Sequence, residues 1–189
     1  MRQGHHQTGI AAFLRRTGGN AGVEFALILP LLTLLCFGAI ELGRALHDYH
    51  VVNETVRDAA RLLSRTPANC PSAGQGAGTF QDGSVYTAAQ QVQRAQALAM
   101  TGNTNTATPA PDLLGYWNYP GDAASTIVIR VDCIDNTAGG FQGLYNGTTY
   151  VPHVFFQANV PFTFLLGELV TPNATIDFNI AHNVVVTGN

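Results

Sequence analysis

The sequence places an acidic side chain at the start of an apolar run. Glu24 lies five residues after Gly19, and no charged residue follows it from Phe25 to Ile40. A carboxylate at the edge of a membrane segment is costly, so it is expected to have a partner. Two roles are open for Glu24: pairing with a positive group at that depth, or a favourable position near the positive end of a helix dipole.

Other polar sets in the chain indicate no catalytic chemistry. His47, His50 and Glu54 share a helical face and have the spacing of metal ligands, but the sequence shows no second ligand cluster, which favours a polar stripe just outside a membrane. The segment 132–136, DCIDN, lacks the glycine and spacing of a calcium loop, which favours a strand end and turn. No serine, cysteine or histidine has a nucleophile motif around it. We therefore expect no enzyme activity, no cofactor and no metal site.

The three cysteines fall in two different settings. Cys36 lies within the apolar run, where it is expected to be a small packing residue. Cys70 and Cys133 lie after the run, and in an oxidising compartment they are able to form a disulfide. Two unrelated buried thiols remain the alternative, because sequence alone does not fix a pairing.

Charge predicts the orientation of the chain. Residues 1–19 contain three arginines and no acid, and they precede the apolar run directly. Positive charge on that side keeps the N-terminus in the cytoplasm, so the C-terminal part is expected outside the membrane. The formal net charge of the whole chain is −3, which gives no indication of nucleic-acid binding.

The elements that must position these residues begin with one long helix. We expect it over 20–65, with the membrane-spanning part at about 21–42 and Pro67 beyond its end. Pro30 is tolerated in a lipid-embedded helix. After Gly43 the helix becomes two-faced, since apolar residues recur at spacings of three and four: Leu46, Tyr49, Val52, Val56, Ala59 and Leu63.

Residues 66–189 are predicted to form an exported α+β domain. Loops rich in glycine, proline and small polar residues are expected at 66–83 and 101–124, with a second helix at 84–100 between them. Apolar residues then alternate with polar ones in three segments, 125–134, 153–160 and 175–186, which predicts at least three strands. Turn-forming links favour an antiparallel sheet covered by the amphipathic half of the first helix.

Four kinds of leader fit a basic segment followed by an apolar run. A cleaved secretory signal peptide conflicts with the amphipathic continuation of the helix, and a lipoprotein signal is excluded because Leu35 precedes Cys36. An uncleaved signal anchor remains open. The fourth kind is a prepilin leader, because a basic segment ending in Gly19 and an acid at Glu24 resemble the type IV pilin signal.

The resemblance becomes more specific within residues 21–65. The segment is similar to TadE-like proteins, which show small residues before Val-Glu-Phe-Ala, a leucine run with one proline, Glu-x-Gly-Arg and a later Ala-Ala-Arg. The corresponding residues here are Ala21, Gly22, Val23, Glu24, Phe25, Ala26, Pro30, Glu41, Gly43, Arg44, Ala59, Ala60 and Arg61. The segment 158–167, ANVPFTFLLG, is more loosely similar to a later part of the family. The resemblance implies a pilin-like minor pilin or pseudopilin of a tight-adherence (Tad/Flp) pilus.

The same resemblance implies processing, partners and location. Prepilin peptidase would cut between Gly19 and Asn20, and Glu24 would pair with the new α-amino group of its own or a neighbouring subunit. Asn20 departs from the aromatic or apolar residue with which many mature type IV pilins begin. The implied partners are the major pilin, other minor pilins, the inner-membrane assembly platform and lipid. The implied location is the bacterial inner membrane, crossed once, with possible incorporation in the pilus. The alternative is an anchored envelope binding protein with no pilus role.

Overall fold

A single helix opens the described part of the chain. The computed structural model describes residues 20–71, 76–164 and 175–188, so the leader and Gly19 lie outside it. Its helices are α1 (Asn20–Ser64), α2 (Ala88–Thr101) and the short α3 (Ala123–Thr126). Its strands are β1 (Ala68–Asn69), β2 (Ala77–Phe80), β3 (Ile127–Asp135), β4 (Tyr150–Thr163) and β5 (Thr175–Val185).

The chain divides into two units, Met1–Gly43 and Arg44–Asn189, the second of which we call the folded unit. The described part of the first unit is the apolar half of α1. Its most apolar 18-residue window has a mean hydropathy of 2.3, and none of that window is buried. The predicted single long helix is confirmed, and its length and composition suit a single membrane crossing.

The five strands form one antiparallel sheet in the order β1-β2-β3-β4-β5. Ile129 pairs with Phe156, and Ala158 pairs with Ile180, so the three long strands follow one another as a meander. Together with the long helix, this sheet confirms the predicted α+β class. The three segments with period-two alternation correspond to β3, β4 and β5.

The prediction of a loop over 66–83 is wrong, because β1 and β2 lie within it. Both strands are very short, and a run of small residues hides them from a period-two pattern. One of these small residues, Gly78 of β2, is required by close packing. A Cβ atom at this position would lie 2.7 Å from Val131 Cγ1 and 2.8 Å from the Asn69 carbonyl oxygen. Close packing of the strands therefore requires glycine here.

The core of the folded unit lies between the amphipathic half of α1 and the sheet. The helix contributes a buried stripe of small and branched residues that includes Val52, Val56, Ala59, Ala60 and Leu63. From β4 come alternate residues that are fully buried: Val154, Phe156, Ala158 and Val160. This is the face predicted by period two. The first members of the predicted helical stripe, Leu46 and Tyr49, are instead exposed.

The region between β2 and β3 carries more of the core than its composition indicates. Trp117 lies in the predicted loop at 101–124 yet is fully buried, and its indole Nε1 donates to Thr126 Oγ1 at 2.8 Å. The second helix begins four residues later than predicted because a capping box fixes its start. The Thr87 hydroxyl accepts from the Gln90 backbone N–H, and the Gln90 side chain accepts from the Thr87 N–H.

Candidate functional site

The apolar half of α1 exposes a continuous surface of large side chains. Among its most exposed residues are Val23, Leu27, Leu34, Leu35 and Leu42. A surface of this kind is not stable in water and indicates burial by lipid or by other apolar helices. The segment from Ala21 to Leu42 spans about 33 Å at helical rise, which matches a hydrocarbon core of about 30 Å.

Glu24 lies just past the first turn of this helix. The helix begins at Asn20, its first turn contains no acid, and the Glu24 side chain is exposed. The helix dipole acts mainly within the first turn, so it accounts poorly for an acid at the fifth helical position. The predicted cut between Gly19 and Asn20 lies outside the described residues on its Gly19 side.

Small residues interrupt the bulky surface at two levels of the apolar half. Gly22 and Ala26 are four residues apart, as are Ala39 and Gly43. Apart from the helix's own backbone, no atom of the described residues lies within 4 Å of a Cβ atom built at Gly22 or Gly43. Glycine lowers helix propensity, and in membranes such small pairs commonly mark where another helix approaches closely.

A cluster of aromatic rings surrounds Phe162 in the folded unit. The Arg44 guanidinium carbon lies 5.7 Å from the centroid of the Phe162 ring. Tyr116 meets the same ring edge-on at 6.3 Å, and Phe178 lies 5.4 Å from it. Phe162 itself is fully buried. These contacts hold α1 to β4 and β5 just beyond the apolar half of the helix.

A buried hydrogen bond reinforces this aromatic cluster. The Tyr116 hydroxyl donates to Asp48 Oδ2 at 2.7 Å, and Asp48 is only 9% exposed. Burial and the bond to the Asp48 carboxylate raise the pKa of Tyr116 far above its ordinary value of 10.0. Tyr116 therefore remains a hydrogen-bond donor throughout the physiological range. Sequence reasoning missed this pair, because its members are 68 residues apart and neither belongs to a motif.

Contacts farther along α1 show that the helix and β5 run side by side in the same direction. Tyr49 meets Phe178 edge-on at 5.9 Å, and Asn53 Oδ1 lies 3.0 Å from His182 Nε2. At the end of the helix, the Ser64 carbonyl oxygen accepts from the Thr187 N–H at 2.6 Å. His182 thus has a hydrogen-bonding partner on α1 and is half-buried on β5.

A disulfide joins Cys70 to Cys133 in the structure, with their Cα atoms 5.7 Å apart. Cys133 lies on the buried face of β3, and Cys70 directly follows β1. The bridge links the end of the short edge strand β1 to the long strand β3. Cys36 is a free, exposed thiol in the apolar half of α1.

Within residues 20–71, 76–164 and 175–188, no group of three His, Cys, Asp or Glu side chains is placed to hold a metal. His47, His50 and Glu54 are each exposed on α1.

The apolar half of α1, Glu24 and the start of the amphipathic half together form one continuous sequence segment. Residues 19–61 match the family model of TadE-like proteins. The chain carries a TadE-like segment. The match begins at Gly19, includes Glu24 and ends three residues before α1 does, so it covers nearly the whole helix. The TadE-like resemblance predicted from sequence is confirmed for this segment. No curated protein and no solved structure gives a significant match to the chain.

Proposed function

We propose that this TadE-like chain is a minor pilin or pseudopilin of a tight-adherence pilus, acting by assembly and not by catalysis. The observation that carries the proposal is the coincidence of the TadE-like segment with a helix whose most apolar 18-residue window has no buried residue among those that the structure describes. Such a helix needs lipid before assembly and other apolar helices afterwards. The pilin-like combination of a long helix with an antiparallel sheet is consistent with this role.

The proposed sequence of events begins with insertion, leaving the basic leader in the cytoplasm and the folded unit outside. Prepilin peptidase then removes residues 1–19, which creates an α-amino group on Asn20. The assembly platform transfers the helix from lipid into a bundle with the major pilin and other minor pilins. The small pairs in α1 allow neighbouring helices to approach closely during this transfer.

Glu24 is proposed to fix the offset between neighbouring subunits. Its carboxylate would pair with the α-amino group of the next subunit, at a membrane depth where a charged group is costly. Buried ion pairs contribute to register more than to net stability. The position of Glu24 just past the first turn, where the dipole of its own helix acts weakly, supports this role.

Intact-mass measurement of the protein from native membranes tests the proposal. We expect a mature chain that begins at Asn20 and co-purifies with pilus subunits. A chain that retains Met1 and purifies without pilus subunits would support the rival function, a single-pass envelope binding protein. A Gly19→Leu variant provides the control, because blocking the cut must leave insertion unchanged while preventing association with the pilus.

A further inference from the structure

The folded unit contains a polar cavity of about 390 Å³ beside α2. One wall is formed by Tyr86, Gln90 and Arg94, which are spaced by four along the start of α2 and the turn before it. The opposite wall is the segment 104–107. Gly102 ends α2 with a left-handed φ of 70°, which turns the chain so that this segment returns beside the helix.

Of the described residues that line this cavity, Arg94 alone is charged. Its guanidinium carbon lies 3.9 Å from the centroid of the Tyr86 ring. Its Nε is buried and has no hydrogen-bond partner among the residues that the structure describes. A buried donor without a partner is costly, and in native proteins it commonly marks a place where a ligand or water binds.

A second arginine in the folded unit shows what is special about Arg94. Arg130 also lies over an aromatic ring, 3.7 Å from the centroid of Phe155. Its Nε, however, lies 3.0 Å from both carboxylate oxygens of Asp132. Stacking on a ring is thus common to both arginines, whereas no carboxylate neutralises Arg94 within the described part of the chain.

The side-chain amide oxygens that line the cavity already accept internal hydrogen bonds, so mainly hydrogen-bond donors are available to a ligand. The Asn105 carboxamide oxygen accepts from the N–H groups of Ala107 and Thr108, and its nitrogen donates to Thr108 Oγ1. The Gln90 side-chain oxygen Oε1 accepts from the Thr87 N–H. Gln90 Nε2 and the Arg94 guanidinium therefore remain as donors. The hydroxyls of Thr104 and Thr106 add groups that either donate or accept.

We propose that this cavity binds a carboxylated sugar, a uronate unit of an acidic polysaccharide. The Arg94 guanidinium matches the geometry of a carboxylate, and the threonine hydroxyls and the Gln90 amide suit the ring hydroxyls. A cavity of 390 Å³ lies at the small end of ligand sites, which suits one sugar unit. The proposal rests on the folded unit alone and does not depend on a pilus role.

Calorimetric titration of the full chain in detergent micelles with glucuronate tests this assignment. We expect one binding site per chain, with glucose and acetate each binding roughly tenfold or more weakly, because each retains only half of the contacts. Arg94→Gln should weaken glucuronate binding by roughly tenfold or more. Arg130→Gln is the matched control and should leave binding unchanged.

A variant on the opposite wall separates ligand contact from effects on folding. Thr106→Val removes one hydroxyl from a surface turn and should weaken glucuronate binding while leaving acetate binding unchanged. Equal affinity for glucuronate and inorganic phosphate would overturn the sugar assignment in favour of a general anion site. Equal losses in Arg94→Gln and Arg130→Gln, or no binding by the parent chain, would also overturn it.

Discussion

At the scale of single residues, the Asp48–Tyr116 pair shows how a buried acid is accommodated in the folded unit. Asp48 lies on α1, is almost fully buried, and accepts a hydrogen bond from the Tyr116 hydroxyl. The hydrogen bond satisfies the buried Asp48 side chain and links α1 to the segment that follows α2. Its contribution should be visible when the donor alone is removed.

Tyr116→Phe keeps the ring and its contact with Phe162 but removes the donor to Asp48. We expect the free energy of unfolding to fall by about 1–3 kcal/mol, because a buried acceptor loses its partner. Chemical denaturation of the full chain in micelles measures this change. Tyr49→Phe is a suitable control, because Tyr49 is exposed. Equal losses in both variants would contradict the assigned role of the bond.

His153 on β4 predicts a pH dependence of stability. Its ring is half-buried and meets Phe141 edge-on at 5.4 Å. Burial lowers the pKa of His153 below its ordinary value of 6.5, an effect partly opposed by the nearby Asp132 carboxylate. The unfolded chain then binds the proton at higher pH than the folded chain does. The stability that depends on neutral His153 should therefore be fully present above pH 6.5. It should be lost progressively as the pH falls below that value.

The variant His153→Gln should flatten this acid-side decrease. Unfolding midpoints measured from about pH 7 to about pH 5 would show a smaller slope than in the parent chain. His47→Gln, at an exposed position of α1, should leave the slope unchanged. A parent chain whose stability rises on acidification in this window would contradict the sign.

Glu24→Gln tests the proposed register role. The chain should still insert and lose its leader, but it should associate less with the pilus, because a neutral amide cannot neutralise an α-amino group. Affinity purification of the major pilin, followed by quantification of this chain, gives the measurement. Glu54→Gln, an exposed acid in the later half of the same helix, is the control. Normal association of the Glu24 variant would exclude the role.

At the scale of elements, the start of α2 depends on its capping box. Thr87→Ala removes the hydroxyl that accepts from the Gln90 N–H at 3.3 Å. We expect a loss of about 1 kcal/mol in the free energy of unfolding, as is usual for such caps. Thermal denaturation followed by circular dichroism detects it. Ser84→Ala, three residues earlier and exposed, should change little.

The elements also show how far sequence patterns reach. Helical spacing predicts the buried stripe at Val52, Val56 and Leu63, and alternation predicts β3, β4 and β5, because these signals are repeated along each element. Strands β1 and β2 give no such repetition. Trp117 likewise occupies the core from an irregular segment, where no period marks its direction. The sequence feature that could have predicted this burial is a single tryptophan within a segment of small residues.

The residues of the candidate site also fall into two groups: those that a sequence pattern predicts and those that it does not. Gly19, Glu24 and the apolar run are local in sequence, so a pattern is sufficient to single them out. The aromatic cluster around Phe162 and the Arg94 cavity arise from residues that only tertiary folding brings together. Their members are common residue types at irregular spacing, so composition and periodicity carry no sign of them.

At the scale of the whole molecule, the Cys70–Cys133 bridge is expected to be a major source of stability for the folded unit. It links positions 63 residues apart, so its removal should cost about 4 kcal/mol through the added freedom of the unfolded chain. Paired Cys70→Ser and Cys133→Ser substitutions, compared in denaturant with the parent chain, measure this loss. Cys36→Ser should have no effect, and reductant should destabilise the parent chain by a similar amount.

The tie between Ser64 and the end of β5 has a consequence for the timing of biogenesis. The Ser64 carbonyl accepts from the N–H groups of both Thr187 and Gly188, which follow it by more than 120 residues. During synthesis the first helix is made early, but the partners of its last turn emerge only after every strand has been translated. Contacts of such separation slow folding. The delay would leave both thiols accessible to oxidation before the sheet closes around Cys133.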